Sequence, residues 1–262
     1  MEEDALNILN NWIEQIIPGK DRLLELGCGS GSLVEELDKK YNVYIRGIDP
    51  MYYGNNDRCI GISAEEVDRI SEWFDFIYSI HSLHHFPNVK MAIKTMKRVI
   101  GWKGEFIFVD WKKGADTGFP ERYFSLNEIC ALLEKNGYLI KEAKEYKDNF
   151  LVYGTPRCFL IAVSSNDGDT ISKGMFGRAK FFNIYEICRG SYRFIERRDN
   201  PFKDTFQHLK TLDVYGIVND CPLIISYTIG PKGQKRLTEK GVKMYFREGR
   251  IIDVIGEISS FH

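Results

Sequence analysis

The chain has 262 residues, of which 44% are hydrophobic and 28% charged, and its 36 basic against 37 acidic side chains leave a formal net charge of −1. That length suits one large or two modest domains with a sizeable core. The charge balance argues against nucleic acid as the main partner, because such binders carry a basic excess, and no apolar run reaches the roughly 18 residues of a membrane span.

The N-terminal stretch MEEDALNILNNWIEQI is acidic and helix-like. It lacks the basic region and apolar core of a secretory signal, so a cytoplasmic protein is expected. Pro18 and Gly19 mark a turn, after which 22–26 predicts a strand, 31–39 a helix and 43–48 a second strand. A helix over 67–73, a buried strand over 74–80 and a helix over 89–100 follow. Gly101 and Gly104 bracket a turn into a strand over 105–109. Alternating strands and helices mean crossover connections and a mostly parallel sheet. Ser125 and Glu128 have the spacing of a capping box opening a helix over 125–135, and strands over 138–146 and 149–153 come next. Gly154-Thr155-Pro156 then punctuates the chain, and the pattern restarts. This predicts domains over 1–156 and 157–262. The six cysteines (28, 59, 130, 158, 188 and 221) form no C-x-x-C pair, so small buried hydrophobes are expected rather than a disulfide framework or zinc site.

The stretch LLELGCGSGSLVEEL (23–37) places a glycine turn between strand and helix. Gly27, Gly29 and Gly31 permit a sharp turn and close ligand approach. Their spacing is G-x-G-x-G, unlike the G-x-G-x-x-G of dinucleotide sites, where pyrophosphate sits on the helix dipole. Glu25 just before the turn suits a cationic amino-acid end better than a pyrophosphate. Asp49, at the end of the second strand, can accept both hydroxyls of a ribose. Together they point to S-adenosylmethionine.

The same residues carry a resemblance. ELGCGSG, GID, FDFIYSIHSLHHF, GWKGEFIFVDW and FSLNEICALLEKNGYLIKEA make residues 1 to about 156 resemble class I S-adenosylmethionine-dependent methyltransferases of the type 11 kind. The resemblance implies an α/β, Rossmann-like sheet with flanking helices. It lays Glu25, Gly27 and Gly29 along the methionine moiety, with Gly31 also among the cofactor-binding residues and Asp49 on the ribose. It sets Ala64 and Glu65 beside the adenine, with Ile80 and His81 closing the cofactor's other side. Ser63 departs from the Asp that the family often places near the adenine amino group.

Methyl transfer from a sulfonium is an in-line displacement whose main protein requirement is proximity and orientation. An acceptor that must lose a proton also needs a base, and His81 or His85 is the catalytic candidate, because imidazole titrates in the useful range. His84 and His85 invite a metal reading, but no third ligand lies near them in sequence, so no metal site is assigned. Asp110 and Trp111 follow the fifth strand at the rim where open α/β sheets bind ligands.

Beyond 157, apolar strands lead to an amphipathic helix near 206–218, a strand over 223–227, a Gly-Pro-x-Gly turn into another helix, and a last strand over 242–246. IAVSSNDGDTIS, FGRAKFFNIYEI, DNPF, NDCPLIIS and GPKG resemble the dinitrogenase iron–molybdenum cofactor-binding family, the NifX-type domains. The resemblance implies a smaller ribonuclease-H-like α/β domain that holds or carries iron–sulfur metallocluster precursors. Where that family usually has a cluster-contacting His before FG, this chain has Met175, a weaker ligand than imidazole, which counts against an iron–sulfur cluster as second cofactor. Cys188, Cys221 and His208 are the remaining candidates, and RFIERR (193–198) reads as a solvated strand face.

The leading expectation is a methyltransferase acting on a small molecule or a metallocofactor-related acceptor, with the tail domain raising its effective concentration. The alternatives are a metallocluster carrier or scaffold whose first domain senses S-adenosylmethionine, and an RNA or protein methyltransferase that docks through the tail. The near-neutral charge speaks against RNA. SIHSLHHF, standing in place of an Asn-Pro-Pro-Tyr-type motif, speaks against amide or base-amine chemistry.

Overall fold

A computed structural model describes residues 5–52, 54–118, 120–205 and 210–260. The chain falls into two units, one formed by Met1–Ile70 with Phe74–Pro156 and the other by Ser71–Trp73 with Arg157–His262.

In the first unit α1 (Ala5–Ile16) precedes β1 (Arg22–Leu26), α2 (Ser32–Tyr41), β2 (Tyr44–Ile48) and the short β3 (Cys59–Ile60). Then come β4 (Phe74–Ile80), α3 (Val89–Met96), β5 (Ile100–Trp111), α4 (Leu126–Lys135), β6 (Tyr138–Glu145) and β7 (Asn149–Pro156). The strands form one seven-stranded sheet in the order β3-β2-β1-β4-β5-β7-β6. Only β7 runs against its neighbours β5 and β6. Side chains alternate between the two faces, as a strand's two-residue period requires. Leu23, Ile107 and Val109 pack with Ile8 and Ile13 of α1 and Val34 and Leu37 of α2. Leu24, Phe106 and Phe108 pack on the other face, with Ile93 and Met96 of α3 and Ile129 and Leu133 of α4. Ser125 opens α4 with a complete capping box to Glu128.

Three expectations need correction. The helix over 67–73 is instead a short 3-10 turn, Ala64–Arg69. Val67 and Ile70 are buried as an amphipathic pattern requires, but the Trp73 N–H donates to the Lys240 carbonyl at 2.8 Å, and Trp73 groups with the second unit. The helix over 89–100 ends at Met96, because Val99 and Ile100 are recruited by strand pairing with Phe74. The Gly101–Gly104 turn survives as a bulge inside β5. Phe74 pairs with Ile100 and Phe76 with Glu105, and Lys103 takes up a left-handed φ of 58°.

The second unit contains β8 (Cys158–Ser165), β9 (Phe181–Cys188), β10 (Ser191–Asp199), α5 (Lys210–Ile217), β11 (Leu223–Ser226), α6 (Pro231–Glu239), β12 (Lys243–Phe246) and α7 (Ile251–Ser260). Its five strands order as β10-β9-β8-β11-β12, with β9 antiparallel to both neighbours and β11 parallel to β8 and β12. This is the smaller α/β domain the sequence led us to expect, with its own core of Phe182, Ile184, Val214, Ile224 and Leu237. The final helix, α7, was not anticipated, although Ile251, Val254, Ile255 and Ile258 carry the spacing of a buried helical face. The expectation of unpaired cysteines fails at one place. Cys158 and Cys188 are register partners on β8 and β9 and form a disulfide. RFIERR lies on the exposed strand β10, where Arg198 forms a bidentate pair with Asp220 at 2.6 and 2.9 Å. No helix among the described residues is long and apolar enough to cross a membrane.

Candidate cofactor and active site

The predicted cofactor residues end or follow the first four strands: Glu25 and the glycines at β1, Asp49 after β2, Ala64 and Glu65 after β3, and Ile80 and His81 at the end of β4. After β1 the chain turns through Gly27, Gly29 and Gly31 with φ of 78°, 52° and 79°. The turn is tied to β2 by Gly27 and Cys28 N–H groups donating to the Ile48 carbonyl at 2.8 and 3.0 Å. Gly27 is packed so closely that an added Cβ would lie 2.4 Å from Ser82 Cβ, whereas a Cβ at Gly29 would meet nothing within 4 Å. The turn is thus closed behind and open in front. Asp49 spans the opening's edge: its Oδ2 accepts the Gly29 N–H at 3.0 Å and its Oδ1 the Met51 N–H at 2.8 Å. Each carboxylate oxygen keeps a second lone pair, the acceptor capacity that a ribose diol needs.

Glu25 is buried in the sheet, 2% exposed, and its Oε2 accepts the Tyr78 hydroxyl at 3.2 Å. Burial pushes its carboxyl up to about 8; the Tyr78 hydrogen bond lowers it in part, and the charge of Asp49 adds to the rise. A buried carboxyl without a cation is held neutral, and a cationic partner restores its charge. Ala64 is buried at the start of the 3-10 turn. Beside it, Glu65 Oε1 accepts the Asn88 N–H at 2.7 Å, while its Oε2 is buried and has no hydrogen-bond partner. An unpartnered buried acceptor costs stability unless a ligand donor meets it, and an adenine amino group is such a donor. These residues fit the nucleoside and amino-acid ends of S-adenosylmethionine. Ser63, where an Asp was the family's usual choice, makes no capping hydrogen bond.

Ile80 ends β4 and pairs with Val109. His81 follows with a left-handed φ of 46°, its N–H bonded to the Val109 carbonyl at 2.9 Å. Its ring stacks on Trp111, centroids 4.1 Å apart and planes 12° off parallel, and its Nε2 lies 2.7 Å from Oδ1 of the buried Asn149. The amide oxygen of Asn149 can accept the proton of that ring nitrogen, which orients the imidazole. His85, the other base candidate, is exposed and stands apart, its ring 4.0 Å from that of His84. The His84 side chain is 4% exposed, with Nδ1 2.6 Å from Asp110 Oδ1 and Nε2 3.1 Å from Glu121 Oε2. Burial lowers its pKa, but the hydrogen bonds and charges of Asp110 and Glu121 outweigh that and hold it above the ordinary value. Asn149 and Glu121 escaped the sequence reading because they come from distant segments with no motif of their own.

In the second unit, Met175 is exposed and precedes the buried Phe176. Cys188 is consumed in the disulfide, and Cys221 is fully buried, its thiol pushed far up by desolvation. His208 lies outside the described residues. Among the described residues of this unit no thiolate is therefore available to an iron–sulfur cluster, which prefers thiolate ligands; the site does not fit that group.

The family model "Dinitrogenase iron-molybdenum cofactor" matches residues 157–260. The comparison with curated proteins gives no match. Among solved structures, an S-adenosylmethionine-dependent methyltransferase from Aquifex aeolicus is similar, with 21% identity and a TM-score of 0.46, over 58% of this chain and 89% of that one. The 1,6-didemethyltoxoflavin-N1-methyltransferase of Burkholderia thailandensis, with 1,6-didemethyltoxoflavin and S-adenosylhomocysteine bound, matches at 14% identity and TM-score 0.48, over 59% and 79% of the two chains. Magnesium protoporphyrin IX methyltransferase from Synechocystis PCC 6803, with S-adenosylhomocysteine bound, gives 14% and 0.44, over 58% and 82%. The model described as "Methyltransferase domain" matches residues 3–143, more than half of the chain, and the chain belongs to that family, the S-adenosylmethionine-dependent methyltransferases.

Proposed function

We propose that the first unit methylates a small molecule, with the cofactor held across the carboxyl ends of β1, β2 and β4. The observation that carries this reading is the pair of carboxyl groups at one open glycine turn, buried Glu25 on the strand that leads into it and Asp49 bonded across its edge, together with the unpartnered buried oxygen of Glu65 beside Asn88. Glu25 would meet the ammonium end, Gly27, Gly29 and Gly31 would let the backbone approach the methionine chain, and Asp49 would take the ribose hydroxyls. Ala64 and Glu65 would border the adenine, and Ile80 and His81 would close the far side. Bound there, S-adenosylmethionine supplies a methyl group on a sulfonium leaving group.

His81 is the proton acceptor in this reading. Its orientation is fixed by the stacked Trp111 ring and by Asn149. A positioned imidazole contributes a rate factor of roughly 100 to 10,000 in general-base catalysis. The second unit serves as a tethered module that raises the acceptor's local concentration. With Cys188 held in the disulfide and Cys221 fully buried in the second unit, the acceptor is read as an organic small molecule rather than a metallocofactor.

Calorimetric titration with S-adenosylmethionine and S-adenosylhomocysteine tests the cofactor site, and release of the homocysteine product across a panel of hydroxyl, thiol and amine acceptors tests the reaction. Failure of both compounds to bind, or preferential binding of a nicotinamide dinucleotide, defeats the proposal. A His81→Ala variant that keeps its affinity and its full turnover removes the base role.

A further inference from the structure

Three ligand-type side chains with no role in the proposed reaction converge at the carboxyl edge of β4 and β5. His84 and His85 stand in the short turn Leu83–His85, and Glu121 comes from the segment before α4. One ring nitrogen of each histidine and a Glu121 oxygen all lie within 4.8 Å of one another.

His84 is held from behind. Asp110, 1% exposed at the end of β5, accepts its Nδ1–H at 2.6 Å through Oδ1 and its backbone N–H at 3.1 Å through Oδ2. The Trp111 N–H fixes the same carboxylate at 2.7 Å. Nδ1 is therefore committed to Asp110, and Nε2 is presented to Glu121. A carboxylate gripping one imidazole nitrogen while the other is offered outward is the arrangement that supports metal-ligating histidines. Tyr123 adds an outer contact, its hydroxyl 3.3 Å from Glu121 Oε2.

We propose that His84, His85 and Glu121 bind a divalent transition-metal ion, with Asp110 as the positioning residue behind His84. Two imidazoles and one carboxylate are the donor set of open Zn²⁺ and Fe²⁺ sites, which keep positions for a further ligand. Glu121 also lines a cavity of about 520 Å³ with Lys113, Arg122, Tyr123, Phe124 and Leu132. A compound in that cavity with a hydroxyl or carboxylate oxygen is the class of ligand that completes the coordination. A histidine pair bonded to carboxylates only as a structural network would bind no ion.

Co²⁺ titration followed by visible absorption, with Zn²⁺ as competitor, tests this on the full chain. The Cys158–Cys188 disulfide is kept intact so that neither thiolate competes. The expected result is one ion per chain. His85→Ala and Glu121→Ala should each weaken binding by at least about tenfold, and Asp110→Asn by roughly 10- to 100-fold at unchanged stoichiometry. His85 is exposed, so that variant should melt with the wild type and keeps the test independent of folding. The proposal is overturned if the wild type takes up neither ion, or if the His85→Ala/Glu121→Ala double variant binds as well as the wild type. It is overturned equally if binding disappears only in a Cys158→Ser/Cys188→Ser variant. None of these outcomes depends on whether the cofactor binds.

Discussion

The Tyr78 hydroxyl on β4 donates to Glu25 on the neighbouring strand β1 at 3.2 Å, with both side chains buried between the sheet and its helices. Burial lifts the Glu25 carboxyl to about 8, an effect the single hydrogen bond only partly offsets. Below that pH the carboxyl of the free protein is neutral, and a cationic amino-acid end that pairs with it must expel a proton. Cofactor affinity should therefore fall as the pH drops below about 8, by at most about tenfold per unit, and level off above it. Titration at pH 7 in buffers of different ionisation enthalpy should register up to about one proton released per ligand. Affinity that stays flat between pH 6 and 8 would show that Glu25 does not meet the cation. Glu25→Gln should bind weakly and without the pH dependence.

Gly27 and Gly29 separate folding from binding. Both have left-handed φ, so alanine at either costs on the order of 1 kcal/mol of backbone strain. At Gly27 the new methyl would also collide with Ser82, 2.4 Å away, whereas at Gly29 it would project into open space. Gly27→Ala should lower the melting temperature sharply. Gly29→Ala should melt only a few degrees lower yet lose most cofactor affinity, because its methyl fills the space the ligand needs. Thermal melts and calorimetry on the two variants check this, and a Gly29→Ala protein that binds normally places the ligand elsewhere.

Local chemistry was legible in the sequence wherever a short segment decides its own structure. The Ser125–Glu128 capping box and the glycine turn after β1 are of that kind, because each is completed within a few residues. What escaped was pairing between distant segments. Nothing near His84 announces Glu121, nothing near His81 announces Asn149, and Cys158 meets Cys188 only through the β8–β9 register. The 67–73 segment has helical spacing, but Trp73 answers to Lys240 and Tyr215, so long-range packing overrode local propensity. Of the two histidines named as bases, the sequence offered no way to see that one is locked against Trp111 while the other is exposed beside His84.

Glu105 anchors β5 to its surroundings through Lys20 at 2.6 Å, Lys141 and the Tyr153 hydroxyl. Burial raises its pKa, but the bonds from Lys141, Lys20 and Tyr153 prevail and hold it down to about 2. A folded pKa below the unfolded one adds stability that is complete above the ordinary carboxylate range and is lost as pH falls toward 2. Glu105→Gln should cost roughly 2 kcal/mol at pH 7, since it leaves Lys20 with no charge partner here. The gap between variant and wild type should close between about pH 4.5 and 2. Urea unfolding at several pH values measures it, and a gap that does not change over that range contradicts the assignment.

The Cys158–Cys188 bond closes a loop with a sequence separation of 30 across adjacent antiparallel strands. Cross-linking a loop of that size restricts the unfolded chain and contributes about 3–4 kcal/mol in the chain-entropy account. Both strands lie inside the five-stranded sheet of the second unit, and β9 carries the edge strand β10. Fraying at the Cys188 end would therefore loosen the β9–β10 hairpin, whose outer face is already exposed. Reduction with a dithiol should shift the urea midpoint of this unit downward, and Cys158→Ser/Cys188→Ser should reproduce the shift and abolish the response to reductant. Hydrogen exchange should quicken first at the Cys188–Ser191 end of the hairpin. If oxidised and reduced protein unfold at the same urea concentration, the bond carries no stability, and strand pairing alone holds β8 to β9.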